Sequence, residues 1–181
     1  MELITNIIKL FLDNLADLEF KLFNSLYDRD QKFRKIYLSF MGVKFNQKIR
    51  MGHDIYIKNK GQLTLGERCS IGSFTRIWNY KQIIIGDDFL TAGCLTLNSG
   101  THDPVTLEPK GMPIQIGSRV WCGINVTIIG GVTIGDDVVI GAGSVVVKDI
   151  PSQCIAVGVP AKKIKDLDRQ NIELWKPYRW N

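Results

Sequence analysis

The stretch Ile116–Ile150, IGSRVWCGINVTIIGGVTIGDDVVIGAGSVVVKDI, repeats itself every six residues. With Ile116 in the first position, the same slot returns at Cys122, Ile128, Ile134, Ile140 and Val146. Four residues further on, a second slot holds Val120, Val126, Val132, Val138, Ser144 and Ile150, so that eleven of the twelve are apolar. Self-similarity at a fixed period marks a repeat architecture and sets the reading of the whole chain. Glycine follows the first slot at Gly117, Gly123, Gly135 and Gly141, where a tight corner favours a residue without a Cβ. Each hexapeptide thus reads as one short strand and one turn. Such strands bury a face only if the chain coils and stacks each coil on the last, with rungs ~4.8 Å apart. Six residues leave no room for a helical crossover, and the regularity does not suit a hairpin meander. A parallel β-helix remains.

Outward from this block the pattern weakens but persists. An earlier block begins near Leu65, with Ile71 and Ile77 at six-residue steps and Cys69 and Thr75 in the second slot. The phase then slips by two to Ile85, followed by Thr91 and Leu97. The segment LNSGTHDPVTLEPKGMP breaks the repeat until Ile116 restores it, and it reads as a loop that leaves the coil. Loops on rigid scaffolds are where chemistry concentrates. After Ile150 comes PSQCIAVGVPAKKIKDL, a proline-marked exit with three lysines, then a short helical stretch with Trp175, Tyr178 and Trp180 to cover the last open rung. At the other end, Ile4, Ile8, Phe11, Leu15, Leu18, Leu22 and Leu26 step by three and four, as in an amphipathic helix. That helix would cap the first coil or meet a second subunit; a membrane-surface role is disfavoured by Asp13, Asp17 and Glu19. The expected organisation is an N-terminal helical and basic segment over 1–45, a β-helix over 46–160 with an excursion loop at 102–114, and a helical cap over 161–181.

Composition bounds the function. The 181 residues make one domain with enough apolar content, 45%, for a full core. No basic n-region with a cleavage site follows Met1, and no apolar run reaches the ~18 residues of a spanning helix, so a cytoplasmic location is expected. Cys69, Cys94, Cys122 and Cys154 show no CxxC spacing and read as reduced thiols rather than disulfides or metal ligands. The net charge of +5 points to anionic partners in general terms.

Two histidines are present, His53 and His102, and His102 lies in the excursion loop in the sequence Gly-Thr-His-Asp. From the residues alone His102 is either a surface loop residue or a general base, for which imidazole suits neutral pH. Loop histidine, the Val120-Trp121 hexapeptide, Lys148-Asp149-Ile150-Pro151 and Gly158-Val159-Pro160-Ala161-Lys162 occur in the order found in one family. From about Leu65 to Lys165 the chain resembles the hexapeptide-repeat acyltransferases, in particular the maltose, galactoside and colanic-acid O-acetyltransferases. The resemblance implies a left-handed coil and a three-sided prism, neither of which the period itself shows. The carbonic anhydrases built on the same prism hold a metal with three histidines, which this chain does not have.

In that family the loop histidine, here His102, is the base that takes a proton from an acceptor hydroxyl as it attacks an acetyl thioester. Asp103 would be placed to orient a ring, and His53 would be structural or exposed. Trp121 falls in an outward slot, and the resemblance sets it near the acceptor and the thioester end of coenzyme A. The position of Ile124 donates a backbone N–H to the thioester carbonyl. Ala142 and Lys148 match positions lining the coenzyme groove, and Lys162 and Lys165 match basic positions facing its phosphates. Val147 stands where the sugar-acetylating relatives have a threonine that contacts coenzyme A. The asparagine that reads the acceptor sugar is replaced by Gly72-Ser73-Phe74-Thr75, so a different acceptor is expected. The implied protein is a homotrimeric, acetyl-CoA-dependent O-acetyltransferase acting on a sugar hydroxyl in surface-polysaccharide synthesis, with no metal and no nucleic acid among its ligands. An N-acyltransferase acting on a nucleotide-linked amino sugar and a non-catalytic β-helix scaffold stay open beside it.

Overall fold

The computed structural model describes residues 31–46 and 48–169. The chain divides into two compact units, Met1–Tyr37 and Leu38–Asn181. In the first, residues 31–37 are helical. The pattern from Ile4 to Leu26 lies outside the described residues, as do Trp175, Tyr178 and Trp180. The second unit opens on helical residues 38–40, with Leu38 fully buried, and reaches its first rung at Lys44, which bridges to Thr64.

From there the chain winds in coils of three short strands. The first coil carries β1 (Arg50–Met51), β2 (Tyr56–Ile57) and β3 (Leu63–Leu65), and the second β4 (Ser70–Ile71), β5 (Arg76–Trp78) and β6 (Ile83–Ile85). The third has β7 (Leu90–Thr91) and β8 (Thr96–Asn98), then leaves as the hairpin β9 (Gly100–His102) and β10 (Pro109–Gly111) before returning in β11 (Ile114–Ile116). The fourth holds β12 (Trp121–Cys122), β13 (Thr127–Ile129) and β14 (Thr133–Ile134). The last contributes β15 (Val138–Ile140) and β16 (Val145–Val146), followed by β17 (Cys154–Gly158) and β18 (Ala161–Asp166).

Strands one coil apart pair in parallel and fall into three sheets, the sides of a prism. Side one is β1, β4, β7, β12, β15 and β17, with β18 added antiparallel at its end; side two is β2, β5, β8, β13 and β16; side three is β3, β6, β11 and β14. Down one corner, hydrogen-bonded partners lie 20, 31, 18 and 16 residues apart, from Glu67 through Asp87, Ser118 and Asp136 to Ser152. Eighteen is three hexapeptides; the larger steps are insertions.

All twelve residues of the two periodic slots are buried in the lumen of the prism. Burying each aliphatic side chain stabilises the coil by about 1.5–3 kcal/mol. The one polar member, Ser144, is satisfied, because its Oγ accepts the Gly158 N–H at 3.1 Å. The coil turns at residues with positive φ stacked in columns: Arg68, Asp88, Arg119, Asp137 and Gln153 at the corner entering side one, and Asp54, Phe74, Cys94 and Asn125 at the corner leaving it. Forks brace the first column, Arg68 on Asp88 (2.6 and 2.8 Å) and Arg119 on Asp137 (2.8 and 2.7 Å).

The structure departs from the sequence reading in three places. The repeat glycines do not turn the chain: Gly117, Gly123, Gly135 and Gly141 are absent from the positive-φ positions. They are needed because the next coil stacks on them; a Cβ at Gly117 would sit 2.7 Å from the Gly135 carbonyl carbon. The regular coil starts before Leu65, with Ile49, Met51, Ile57 and Leu63 already buried. Finally, residues 161–166 of the expected helical cap are strand β18, which pairs with β17. Its backbone meets the otherwise unpaired edge of the last rung, a stronger demand than local helix preference.

Candidate active site

The excursion leaves the coil at the corner between sides two and three. That corner is irregular in every coil above it. The second coil needs five residues, 78–82, between the buried Ile77 and Ile83, where the fourth coil needs three, 129–131, between Ile128 and Val132. The long corners are tied by buried polar side chains. Asn79 Oδ1 accepts the Asn59 N–H at 2.8 Å, and Asn79 Nδ2 donates to the Asn59 carbonyl at 2.7 Å. In the third coil Ser99 takes over: its N–H donates to Trp78 O at 3.0 Å and its Oγ accepts the Lys81 N–H at 2.9 Å.

On this base stands the β9–β10 hairpin, with Pro109 opposite His102 and Gly111 opposite Gly100. The hairpin and the corner enclose an open cavity of about 540 Å³, lined among others by Trp78, Tyr80, Asn98, His102 and Lys110. That volume is in the range of small-molecule sites. His102 is exposed, and its imidazole has no hydrogen-bond or ionic partner among the described residues. Asp103 does not orient it. The Asp103 carboxylate pairs with Lys110 Nζ at 2.5 Å and accepts the N–H groups of Val105 and Thr106 at 2.9 Å each. These bonds hold its pKa down at about 2, the Lys110 ammonium being the largest cause. A carboxylate next to the histidine in sequence is therefore spent on closing the turn. His53 is exposed, away from this cavity, and its carbonyl accepts the Phe74 N–H at 2.9 Å.

The other expected site residues lie elsewhere on the prism. Trp121 projects from side one, 42% exposed, in the outward position its slot implied. Ile124 follows at the corner between sides one and two. The neighbouring N–H groups of Gly123 and Asn125 donate to Ile140 O and Gly93 O, at 2.8 and 3.0 Å, whereas the Ile124 N–H has no acceptor among the described residues. Ala142 stacks beneath, so closely that a Cβ on Gly123 would sit 2.7 Å from the Ala142 nitrogen. Val147 and Lys148 are exposed at the end of side two, and Lys162 and Lys165 are exposed on β18. None of these lines the His102 cavity. Within one chain His102 and the Ile124 N–H occupy different corners.

The buried thiols take no part. Burial pushes Cys69 and Cys122 up to about 12, so neither is a nucleophile at neutral pH. Trp78, Tyr80 and Asn98 are pocket residues that the sequence reading did not single out. Their signal was the two-residue phase slip after Ile77.

The sequence profile described as "Bacterial transferase hexapeptide (six repeats)" matches residues 113–148. The putative lipopolysaccharide biosynthesis O-acetyl transferase WbbJ of Escherichia coli K12 is 30% identical over 151 residues, covering 75% of this chain and 74% of that protein. Among solved structures, a maltose O-acetyltransferase from Clostridium difficile 630 superposes with a TM-score of 0.74 at 33% identity, over 82% of each chain. A galactoside acetyltransferase in complex with coenzyme A superposes with a TM-score of 0.59 at 33% identity, over 68% of this chain and 66% of that one. The chain spans about half the length of other curated relatives it matches. Periodic slots, prism and a relative 30% identical over 75% of this chain agree, and the chain belongs to the hexapeptide-repeat acetyltransferases, built on the left-handed parallel β-helix.

Proposed function

We propose that the chain is an acetyl-CoA-dependent O-acetyltransferase that acetylates a sugar hydroxyl during surface-polysaccharide synthesis. The observation that carries this reading is His102: an imidazole without a carboxylate or hydrogen-bond partner, held on a braced hairpin and opening on a cavity of small-ligand size. The names and bound coenzyme of the relatives support the donor, and WbbJ supports the polysaccharide context. The chain's own residues fit such a donor. Ile124 offers an unused N–H for a carbonyl oxygen, the Gly123–Ala142 stack leaves a smooth path for a thin arm, and Lys148, Lys162 and Lys165 are exposed cations for phosphates.

In this reading His102 takes the proton of the acceptor hydroxyl as its oxygen attacks the thioester carbonyl. The Ile124 N–H meets the negative charge that develops on that carbonyl oxygen. The C–S bond then breaks, and the imidazolium returns its proton to the departing thiolate. No acetyl-enzyme is formed, and the buried thiols agree with that. Because His102 and Ile124 occupy different corners of one prism, we place the complete site between two chains of a homotrimer, with His102 from one and Trp121, Ile124 and the lysines from the next. The cytosol, where acetyl-CoA is supplied, is the compartment this chemistry requires. The test is release of free thiol from acetyl-CoA on addition of sugars, followed by mass analysis of the product. A gain of one acetyl on oxygen supports the reading, and absence of transfer to any sugar rejects it.

A further inference from the structure

Charge is unevenly distributed along the axis of the prism. In residues 38–62, the first coil and the helical residues that open it, five cations stand against one acid: Lys44, Lys48, Arg50, Lys58 and Lys60 against Asp54. Over the coils that follow, residues 63–150, six cations stand against eight acids. The five are spread around the coil. Lys44 heads side three, where it bridges to Thr64, Lys48 sits on the turn into side one, and Arg50 belongs to β1. Lys58 follows β2 on side two, its N–H bonded to Ile77 O at 2.9 Å, and Lys60 lies on the next corner. All five are exposed, so they form a basic rim around the first-coil end of the prism.

These charges are not spent on the chain's own acids. Lys44, Lys48 and Lys58 have no carboxylate partner among the described residues. Glu67, the first acid beyond the rim, is taken by Arg68 at 2.8 Å and by Asn46 Nδ2 at 3.2 Å. In the coils below, Arg68 and Arg119 close on Asp88 and Asp137. The rim also carries an apolar group: the Phe40 ring is 67% exposed, with Lys60 Nζ 3.7 Å from its centroid. Lysines on long apolar stems, set in a ring beside an exposed aromatic, match a planar anionic surface with a shallow apolar layer. A polynucleotide instead follows a stripe or groove of charge.

We infer that the first-coil end of the prism docks on an anionic phospholipid bilayer, with the lysine ammonium groups at the lipid phosphates and Phe40 in the headgroup layer. Attraction of each cation to such a surface decays within a Debye length, so the contact is peripheral and weakens with salt. The residues differ from the pattern at 4–26, whose acids Asp13, Asp17 and Glu19 oppose a membrane role. The docking stands on charge and exposure alone. It goes beyond the acetyltransferase reading by giving the chain a partner surface at the end of the prism, away from the β9–β10 hairpin of the third coil.

The full-length protein is sedimented with phosphatidylcholine vesicles, with and without about 30% phosphatidylglycerol, at about 50 mM and about 500 mM salt. Binding to the anionic vesicles alone, lost at the higher salt, is the expected result. The triple variant Lys44→Glu, Lys58→Glu, Lys60→Glu lowers the partition coefficient at least about tenfold, and Phe40→Ser lowers it about threefold with the salt dependence kept. The charge-matched control is Lys162→Glu, Lys163→Glu, Lys165→Glu on β18, at the other end of the prism, which binds the vesicles as the unaltered protein does. Circular dichroism and gel filtration establish that each variant is folded. Equal sedimentation with both kinds of vesicle, equal loss in the two triple variants, or retention on duplex DNA at a salt that releases the protein from vesicles overturns the docking. Failure to acetylate any sugar, with vesicle binding intact, rejects only the reading of the preceding section.

Discussion

At residue scale the reading turns on His102 and on what Asp103 does beside it. His102→Ala lowers turnover about 10²–10⁴-fold, the usual worth of a positioned base, while equilibrium binding of acetyl-CoA is retained because no coenzyme-contacting residue changes. Asp103 is held down at about 2, below its usual range, so the support it gives the turn is fully present above about pH 4 and is lost only as pH falls toward 2. Asp103→Asn should therefore lower turnover at neutral pH by loosening the hairpin that carries His102, read as a lower kcat. The place of His102 on an excursion from the coil was legible in the sequence, because the loop interrupts a regular repeat. The role of Asp103 was not, because Lys110 reaches it only once Pro109 and His102 pair across the hairpin.

At the scale of the element, the hexapeptide was legible in its buried slots and misread at its glycines. Every slot residue faces the lumen, since a period of six matches a side of the prism and burial follows the period. The glycines were assigned to turning, yet the turns are made by residues such as Arg119 and Asp137, at φ 58° and 56°. The two roles separate by mutation. Gly117→Ala places a Cβ 2.7 Å from backbone of the next coil and should destabilise by roughly 1–3 kcal/mol in denaturant unfolding. Gly143→Ala meets no atom within 4 Å, its only penalty being a φ of +69°, and should cost about 1 kcal/mol. Equal costs would return the repeat glycines to turning. Thiol labelling reads the same geometry: Cys94, partly exposed, reacts in the native protein, while Cys69 and Cys122 react only after denaturation. The corner bearing Trp78 and Tyr80 escaped notice because an insertion destroys the period that makes outward positions readable.

For the whole molecule, the fold class followed from one 35-residue block, but the arrangement of the proposed site did not, because His102 and Ile124 occupy separate corners of one prism. Two inactive variants mixed as subunits test the central claim most directly, that a base on one chain serves a thioester held by another. His102→Ala and Trp121→Ala are each purified as homo-oligomers, then dissociated, mixed in equal amounts and reassembled. In a trimer with one site per interface, a random mixture rebuilds wild-type pairs at roughly a quarter of the interfaces. Recovery of activity toward that fraction, far above either parent, is the expected result. Activity no greater than the sum of the two parents would contradict a site shared between chains and, with it, the placement of His102 as the base opposite Trp121 and Ile124.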